Sequence, residues 1–470
     1  MMKKIMALFG TQDLTTGKPM RGLLQFSIPL LIGNFAQQLY NTVDSIIVGK
    51  YIGDNALSAV GASGPVLNLL LVLFIGIATG AGIMVAQYFG AKDRKMLSKT
   101  VGTTLTLTMI VSLLLTFVGV FASPWLLEVL QTPANFIKDA QEYLVIIFAG
   151  FIGMAFYNIV SGILRGMGDS VYPLIYLIIS TLLNVVLDVW FVSSTGRVAG
   201  VAWATILAQG FSAVLCVRRL LKMKDTLDVN RKTLKPSRSL SLRLFRLGIP
   251  AGVTQAIFSL SAILVQSLAN SLETLTALPI VAAQTAVMRV DGFCMLPNMT
   301  FGNAATTFVG QNIGAGRMDR VKKGTWDAMK LGLLCSSFLT LMILLFGKQL
   351  MSLFTDTPEV IQLGEMWMHI LAAGYVAFTV TQVFSGVMRG AGETMIPMWI
   401  SMITTVGIRM ALAYGLVEMT KSAAWPHGNP TSLQYSLLIA WISGAVITTL
   451  AFFKSKWRQR AVIPQINEEK

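Results

Sequence analysis

The sequence predicts an all-α polytopic membrane protein, with about 12 transmembrane helices in two pseudo-symmetric lobes of six helices each. Three observations lead to this fold class. Of the 470 residues, only 13% are charged and 54% are hydrophobic, whereas soluble domains carry roughly 25% charged residues. Apolar stretches of roughly 20 residues, the length that a helix needs to cross a bilayer, recur along the whole chain. The second half of the chain also repeats motifs of the first half.

The apolar stretches define the predicted helices in order. Their approximate cores are 23–48, 57–86, 100–122, 141–164, 172–193, 198–221, 245–270, 279–308, 326–347, 367–388, 395–418 and 434–453. Short strands of alternating polarity, which a transmembrane barrel needs, do not stand out in the pattern. The length of the stretches therefore favours helices.

Positive charge is distributed unevenly between alternate loops. The chain has 37 Lys and Arg against 22 Asp and Glu. If the N-terminus is cytoplasmic, the loops that face outward carry few cations: Lys50, Lys138, Arg197, Lys348 and Lys421. Cytoplasmic loops of membrane proteins hold the excess of Lys and Arg, so we expect a multi-pass protein of the plasma or inner cell membrane with both termini in the cytoplasm. This pattern indicates membrane lipids, and not nucleic acid, as the partner of the basic residues.

An internal duplication relates the two halves. Residues 161–173 read SGILRGMGDSVYP, and residues 385–397 read SGVMRGAGETMIP, 224 residues later. Gln87 to Ala91 match Gln311 to Ala315 at the same offset. Matches in order at one offset indicate duplication. Because each copy holds an even number of spans, both copies have the same orientation, as in transporters with parallel repeats.

The duplication divides the chain into five expected segments. These are an N-terminal cytoplasmic segment (1–22), an N-terminal lobe (23–221), a cytoplasmic linker (222–244), a C-terminal lobe (245–453) and a cytoplasmic tail (454–470). The Arg-Gly-x-Gly-acid motifs lie at inner helix ends. Their glycines permit a tight turn, and we expect their Arg and acid to pair or to bind loop carbonyls in a structural role.

These motifs resemble the multidrug and toxic-compound extrusion (MATE) family of bacteria over nearly the whole chain. The resemblance rests on VDSIIVG at 43–49, VAQYFGA at 85–91, LNVVLD at 183–188 and the two Arg-Gly-x-Gly-acid motifs. It implies two six-helix lobes facing each other in a V and alternating access. It also implies cation-driven export of organic, often cationic, small molecules.

Three acids lie deep in the predicted spans: Asp44, Asp188 and Asp291. A charge at the centre of a membrane helix costs roughly 2.5–3.5 kcal/mol on insertion scales, so each needs a partner or a purpose. Asn184 and Asp188 are one helical turn apart and share a face of the fifth span. Further polar groups extend a possible oxygen-rich cluster, on the fourth span (Asn158, Ser161) and on the sixth (Thr205, Gln209). Such a cluster is suited to a proton or to Na⁺.

The family resemblance places Asp44, Asn184, Asp188 and Thr205 in the N-lobe cation site of the family, and Ser161 at a further polar position. A Na⁺ ion would lie at Asp44, Asn184 and Asp188. The alternative is that these groups only cross-link helices by hydrogen bonds. The duplicated positions have lost the acids, because Val265, Ile408 and Leu412 replace Asp44, Asn184 and Asp188. The N-terminal lobe is therefore the expected site of ion coupling.

Other polar residues within the spans are candidates for the substrate cavity: Asn34, Gln37, Gln38, Asn41, Asn158, Gln255 and Gln284. In the C-terminal lobe we expect a structural ion pair of Asp291 with Arg409 or Arg289. A proton or substrate role for Asp291 is the alternative.

The sequence thus predicts a monomeric antiporter that exports organic compounds in exchange for H⁺ or Na⁺. It has no cofactor other than the coupling ion, since no metal-binding or phosphate-binding motif occurs. An exporter or flippase of a lipid-linked or metabolite substrate is the first alternative, and a channel is a remote one. No nucleophile–base set predicts an enzyme.

Overall fold

A computed structural model describes residues 11–462, apart from 52, 53, 130, 131, 134, 135, 277 and 424. The side chains of residues 40–58, 62, 65, 69 and 70 also lie outside the description. Throughout the described part of the chain, the regular structure is helical.

The helices follow the predicted spans closely. They are α1 Pro19–Tyr51, α2 Asp54–Gly90, α3 Arg94–Val129, α4 Ile137–Ala149, α5 Phe151–Gly166, α6 Val171–Thr195, α7 Val198–Lys222, α8 Arg238–Thr276, α9 Ile280–Gly314, α10 Met318–Ser352, α11 Pro358–Gly390, α12 Met395–Ser401, α13 Arg409–Met419 and α14 Ser432–Lys454. The fourth predicted span consists of α4 and α5, which meet at a bend of 51°. The eleventh contains a π-helical turn, Met402–Ile408, between α12 and α13.

The helices are long enough to cross a bilayer. By length and composition, 9 helices of the described residues qualify, and the bent pair α4–α5 raises the number to 10. The remaining two, α1 and α9, have 33 and 35 residues, more than the roughly 20 that a span needs. Both contain a proline and several polar residues, which explains why their apolar character is weaker. The described chain therefore has the all-α, multi-span fold that the sequence predicts.

The chain folds into two compact units whose boundary does not coincide with the linker. Unit 1 comprises Met1–Thr16, Leu24–Gly252 and Gly314–Gly316, and unit 2 comprises Gly17–Leu23, Val253–Ile313 and Arg317–Lys470. The boundary falls inside α8, so that the first part of this helix belongs to unit 1. These units are defined by contacts within the structure, whereas the lobes 23–221 and 245–453 are defined by the sequence repeat. The division into these lobes stays a prediction.

Glycines let the first part of α8 approach α2 within unit 1. A Cβ atom at Gly76 of α2 would lie 2.6 Å from the carbonyl oxygen of Gly248, and one at Gly80 would lie 2.8 Å from that of Leu244. Any side chain at either position would collide with backbone. This contact therefore depends on glycine, the only residue without a Cβ atom.

The duplication is visible in a second pair of close helix contacts. In unit 1, a Cβ atom at Gly166 of α5 would lie 2.7 Å from the carbonyl oxygen of Gly82 on α2. In unit 2, Gly390 of α11 meets the carbonyl oxygen of Thr306 on α9 in the same way, with both residues 224 positions further along. The repeated motif thus encodes a backbone-to-backbone helix contact in each unit.

The linker between α7 and α8 lies along α3. The backbone N–H of Asp228 donates to Ser98 Oγ of α3 at 2.8 Å. One turn further on α3, the Thr233 carbonyl occupies the space that a side chain at position 102 would need, because that residue is Gly102. The linker is therefore docked on unit 1 through its backbone.

Candidate functional site

The candidate site lies between α6 and α7 of unit 1, and two hydrogen bonds establish how these helices are aligned. Ser180 Oγ donates to the Ala208 carbonyl at 2.8 Å, and Ser212 Oγ donates to the Tyr176 carbonyl at 3.2 Å. The two helices are therefore antiparallel, so that higher residue numbers on α6 lie level with lower residue numbers on α7. Continuing this alignment by one turn brings Asn184 level with Thr205 of α7.

The polar groups of this cluster are removed from solvent. Asn184 and Asp188 of α6 are only 1% and 0% exposed, and Thr205 and Gln209 of α7 are also buried. Asn184 Nδ2, Thr205 Oγ1 and Gln209 Oε1 have no hydrogen-bond partner among the described residues. A buried polar atom left unsatisfied costs roughly 1–3 kcal/mol. In the same alignment Asp188 lies one turn from the level of Asn184 and Thr205, whereas Gln209 lies about 8 Å along the axis on the other side of that level. The unsatisfied atoms of Asn184 and Thr205, one turn from a fully buried carboxylate, make this level the candidate site for a further group.

The donor set of the cluster matches a hard cation or a proton. Asp188 supplies carboxylate oxygens, Thr205 a hydroxyl oxygen and Asn184 an amide oxygen, and oxygen ligands are those that hard cations prefer. In the described part of the chain, no group of three or more His, Cys, Asp and Glu comes together. The cluster therefore lacks the nitrogen and sulfur ligands that transition metals favour.

Two predicted residues of the site lie outside the described residues. The side chains of Asp44 and Asn41, both on α1, belong to the stretch 40–58. Their part in the cluster stays a prediction.

Ser161 and Asn158 of α5 are not brought to this cluster. Ser161 Oγ lies 3.7 Å from Cys216 Sγ of α7, and Cys216 is about 18 Å along the helix axis from the level of Asn184, at 1.5 Å per residue. Asn158 Nδ2 donates to the Met154 carbonyl of its own helix at 2.8 Å. Helices α5 and α7 run parallel, and their register places Ser161 several turns from the level of Asn184. A part of Ser161 and Asn158 in ion coupling stays a prediction.

The other cavity candidates differ in their surroundings. Asn34, Gln37 and Gln38 of α1 and Gln255 of α8 are half-buried. Gln284 of α9 is buried, and its Oε1 accepts a hydrogen bond from Gln434 Nε2 of α14 at 2.6 Å. This hydrogen bond cross-links α9 and α14 within unit 2. The part of Gln284 in a substrate cavity stays a prediction.

The predicted ion pair of Asp291 also needs correction. The hydroxyl of Tyr375 donates to the Asp291 carboxylate. Arg409 influences the carboxylate only through space, and its Nη1 donates to Ser261 Oγ at 3.0 Å. Arg289 is exposed on the same helix as Asp291, two positions away and so on another face. The acid is therefore held mainly by a neutral hydroxyl.

The acids of the repeated motif pair with arginines from other segments, and not with their own motif's Arg165 or its repeat equivalent. Asp169 Oδ2 lies 3.0 Å from Arg219 Nη2 of α7, and Glu393 Oε2 lies 3.4 Å from Arg460 Nε. Each acid also accepts backbone N–H groups at the start of the next helix, α6 or α12. Burial raises the pKa of Asp169, against the opposing effect of Arg219. These contacts support a structural role at the helix ends.

Comparisons with known proteins agree with one another. The family model described as MatE matches residues 29–190 and 250–415. The probable multidrug resistance protein YoeA of Bacillus subtilis is 29% identical over 463 residues, covering 96% of this chain and 97% of that protein. The probable multidrug resistance protein YpnP of the same organism is 31% identical over 382 residues, covering 81% and 84%.

The fold of this chain is also similar to that of solved structures. The outward-facing conformation of a multidrug resistance MATE family transporter of the MOP superfamily superposes with a TM-score of 0.87 at 25% identity. The superposition covers 94% of this chain and 97% of the other.

Proposed function

The chain belongs to the MatE family of transporters, and from that premise we propose that it is a secondary active antiporter exporting organic, often cationic, compounds in exchange for H⁺ or Na⁺. The observation that supports ion coupling is the buried cluster around Asp188. It places a buried carboxylate one turn from Asn184 and Thr205, whose Nδ2 and Oγ1 atoms have no hydrogen-bond partner among the described residues. The names of YoeA and YpnP support the nature of the cargo.

The coupling cycle follows from the chemistry of the cluster. In the outward-facing state, H⁺ or Na⁺ binds at Asp188 together with Asp44 and neutralises the buried charge. This changes the packing of α1 and weakens the hold on the substrate, which leaves. The inward-facing state releases the ion and takes up the next substrate. Ion and substrate must favour different states, since a ligand shifts an equilibrium only by its differential affinity.

The membrane setting completes the proposal. The protein lies in the cell membrane with both termini in the cytoplasm, because the cations are concentrated on one set of alternate loops. We also propose that it acts as a monomer. Membrane lipids surround the spans, and no organic cofactor takes part.

The test is transport by the purified protein in liposomes loaded with a fluorescent organic cation. We expect a Na⁺ gradient or a pH gradient, applied separately, to drive dye movement. The variants Asp44→Asn and Asp188→Asn should abolish this response, while Asp291→Asn serves as the matched control because its acid lies in unit 2 and is hydrogen-bonded by Tyr375.

The outcomes are distinct. Downhill dye movement that ignores both gradients would identify a channel and reject the antiporter. Full coupling in Asp188→Asn would reject the ion site. Loss of coupling in the Asp291 control alone would move the site to unit 2.

A further inference from the structure

A groove opens at one end of unit 2, where α10 begins and α14 ends. Helices α10 and α14 both pack on α11, and between them lies a cavity of about 350 Å³. Its lining comes from the first turns of α10 and from the chain on either side of the α14 terminus. This size lies within the range of ligand pockets, roughly 300–1,000 Å³.

Aromatic rings form the inner wall of this groove. The rings of Phe452 and Trp457 stack with centroids 5.1 Å apart, and Trp457 Nε1 donates to the Phe452 carbonyl at 2.7 Å. Behind them, Phe384 of α11 stacks on Phe452 at 4.3 Å. The wall is therefore fixed by ring packing and by a backbone hydrogen bond. Trp326 and Phe453 are exposed at the opening.

Two cations line the same groove. Lys322 of α10 and Arg458, which follows α14, are both exposed lining residues. The Arg458 guanidinium lies 5.3 Å from the centre of the Trp457 ring. Among the described residues, none of the ion pairs involves Lys322. An aromatic wall with a positive rim suits a ligand that is apolar at one end and anionic at the other.

The corresponding groove of unit 1 is filled by protein. Trp326 of α10 corresponds to Gly102 of α3, 224 residues earlier. At Gly102 the linker lies directly on the helix, with the Thr233 carbonyl in the space of a side chain. In unit 1 the linker therefore occupies the position of this groove. In unit 2 the groove is lined by aromatic rings and by cations.

The helix faces beyond the groove are apolar and exposed. On α14, the exposed Val446 and Leu450 lie seven and three residues before Phe453 and so share its side of the helix. On α10, the half-buried Leu333 lies two turns from Trp326. On membrane-spanning helices, such faces meet lipid acyl chains. A ligand in the groove therefore has an apolar path leading away from its charged end, which suits a phospholipid better than a free anion or a peptide.

We propose that this groove binds one anionic phospholipid, with its phosphate at Lys322 and Arg458 and an acyl chain against Trp326 and Phe453. Arg binds phosphate through paired hydrogen bonds, and Lys does so as a point charge. Basic pockets between membrane helices are suited to anionic headgroups, and Trp side chains favour the headgroup level. The inference is independent of the transported cargo and of the coupling ion.

The test compares two double variants with the same loss of charge. Lys322→Gln/Arg458→Gln removes both lining cations, while Lys323→Gln/Lys456→Gln removes two exposed neighbours that do not line the groove. Native mass spectrometry measures retention of phosphatidylglycerol and of phosphatidylcholine by the full-length protein. Because each cation near a membrane surface is worth roughly a factor of five in affinity, we expect phosphatidylglycerol to bind about 30-fold more weakly to the first variant. The second variant should bind phosphatidylglycerol clearly more tightly than the first, because its two cations do not line the groove.

Several outcomes would overturn the proposal. Equal losses in both double variants would mean general surface attraction, and equal retention of the two lipids would mean apolar contact alone. A photoreactive benzoylphenylalanine in place of Phe453 identifies the occupant directly. Cross-linking to phosphatidylglycerol is expected, whereas cross-linking to residues 463–470 or to a second protein chain would replace the lipid as occupant. Equal melting temperatures of the two double variants show that both are folded.

Discussion

Asp188→Asn should remove the stabilisation of the folded protein by its coupling ion. The side chain is 0% exposed, so solvent does not screen its attraction to a bound cation. The substitution keeps the size and one oxygen of the side chain and removes only the charge. Asn184 and Thr205, about one turn away, supply neutral oxygens, which bind a cation less strongly.

The expected magnitude follows from this burial. A unit charge pair about 4 Å apart in a protein environment is worth about 4 kcal/mol, or a factor of about 10³ in the dissociation constant. An ion present at 100 times its dissociation constant stabilises the folded state by about 2.7 kcal/mol. After the substitution the same concentration is only about 0.1 of the dissociation constant, and the stabilisation falls below about 0.1 kcal/mol. A shift of the melting temperature of about 3 °C should therefore disappear.

Thermal unfolding of the detergent-purified protein measures this shift. Sodium chloride is compared with choline chloride at equal ionic strength, and a second series varies the pH without Na⁺. Asp291→Asn is the matched control and should keep the full ion response. An unchanged ion response in Asp188→Asn would refute the argument, because the buried carboxylate would then have no part in holding the ion.

Two further predictions concern stability. Gly166→Ala should destabilise the protein by about 1–3 kcal/mol, because its Cβ atom would lie 2.7 Å from a backbone oxygen and cores tolerate such overpacking poorly. The control is Gly415→Ala, which has nothing within 4 Å and should be neutral or stabilising by up to about 1 kcal/mol. Equal melting temperatures of the two variants would contradict the close contact at Gly166. Arg219→Gln should cost about 3–5 kcal/mol at neutral pH by leaving the buried Asp169 without its cation, against at most about 1 kcal/mol for the exposed Arg94→Gln. Burial already raises the pKa of Asp169, and a protonated carboxyl needs no cation, so the deficit of Arg219→Gln should shrink as the pH falls; a deficit in chemical unfolding that grows at low pH would contradict this.

Sequence periodicity predicted the helices and those parts of the site that lie within one helix. Asn184 and Asp188 share a face because they are one turn apart, and the structure buries both. What periodicity does not contain is the register between helices. Ser161 is displaced from the cluster because α5 runs parallel to α7, with Gly153 packed against Gly210.

The hydrogen-bond partners of residues distant in sequence could not be predicted from the sequence either. Asp291 receives its hydrogen bond from Tyr375, 84 residues later, and Gln284 pairs with Gln434 across 150 residues. Charge complementarity suggested Arg409 for the first, but the guanidinium of Arg409 donates to Ser261, and the hydroxyl of Tyr375 is the group that donates to the carboxylate. No sequence signal distinguishes these choices.

The position of the unit boundary inside α8 has a consequence for biosynthesis. Unit 1 includes residues up to Gly252. When a ribosome has completed α7 and the linker, it has not yet made the first part of α8, which packs on Gly76 and Gly80 of α2. Residues 17–23, in contrast, are made before most of unit 1 but belong to unit 2. Neither half can therefore mature as the chain emerges. A gene cut at the linker should yield two fragments that become stable only when they are expressed together.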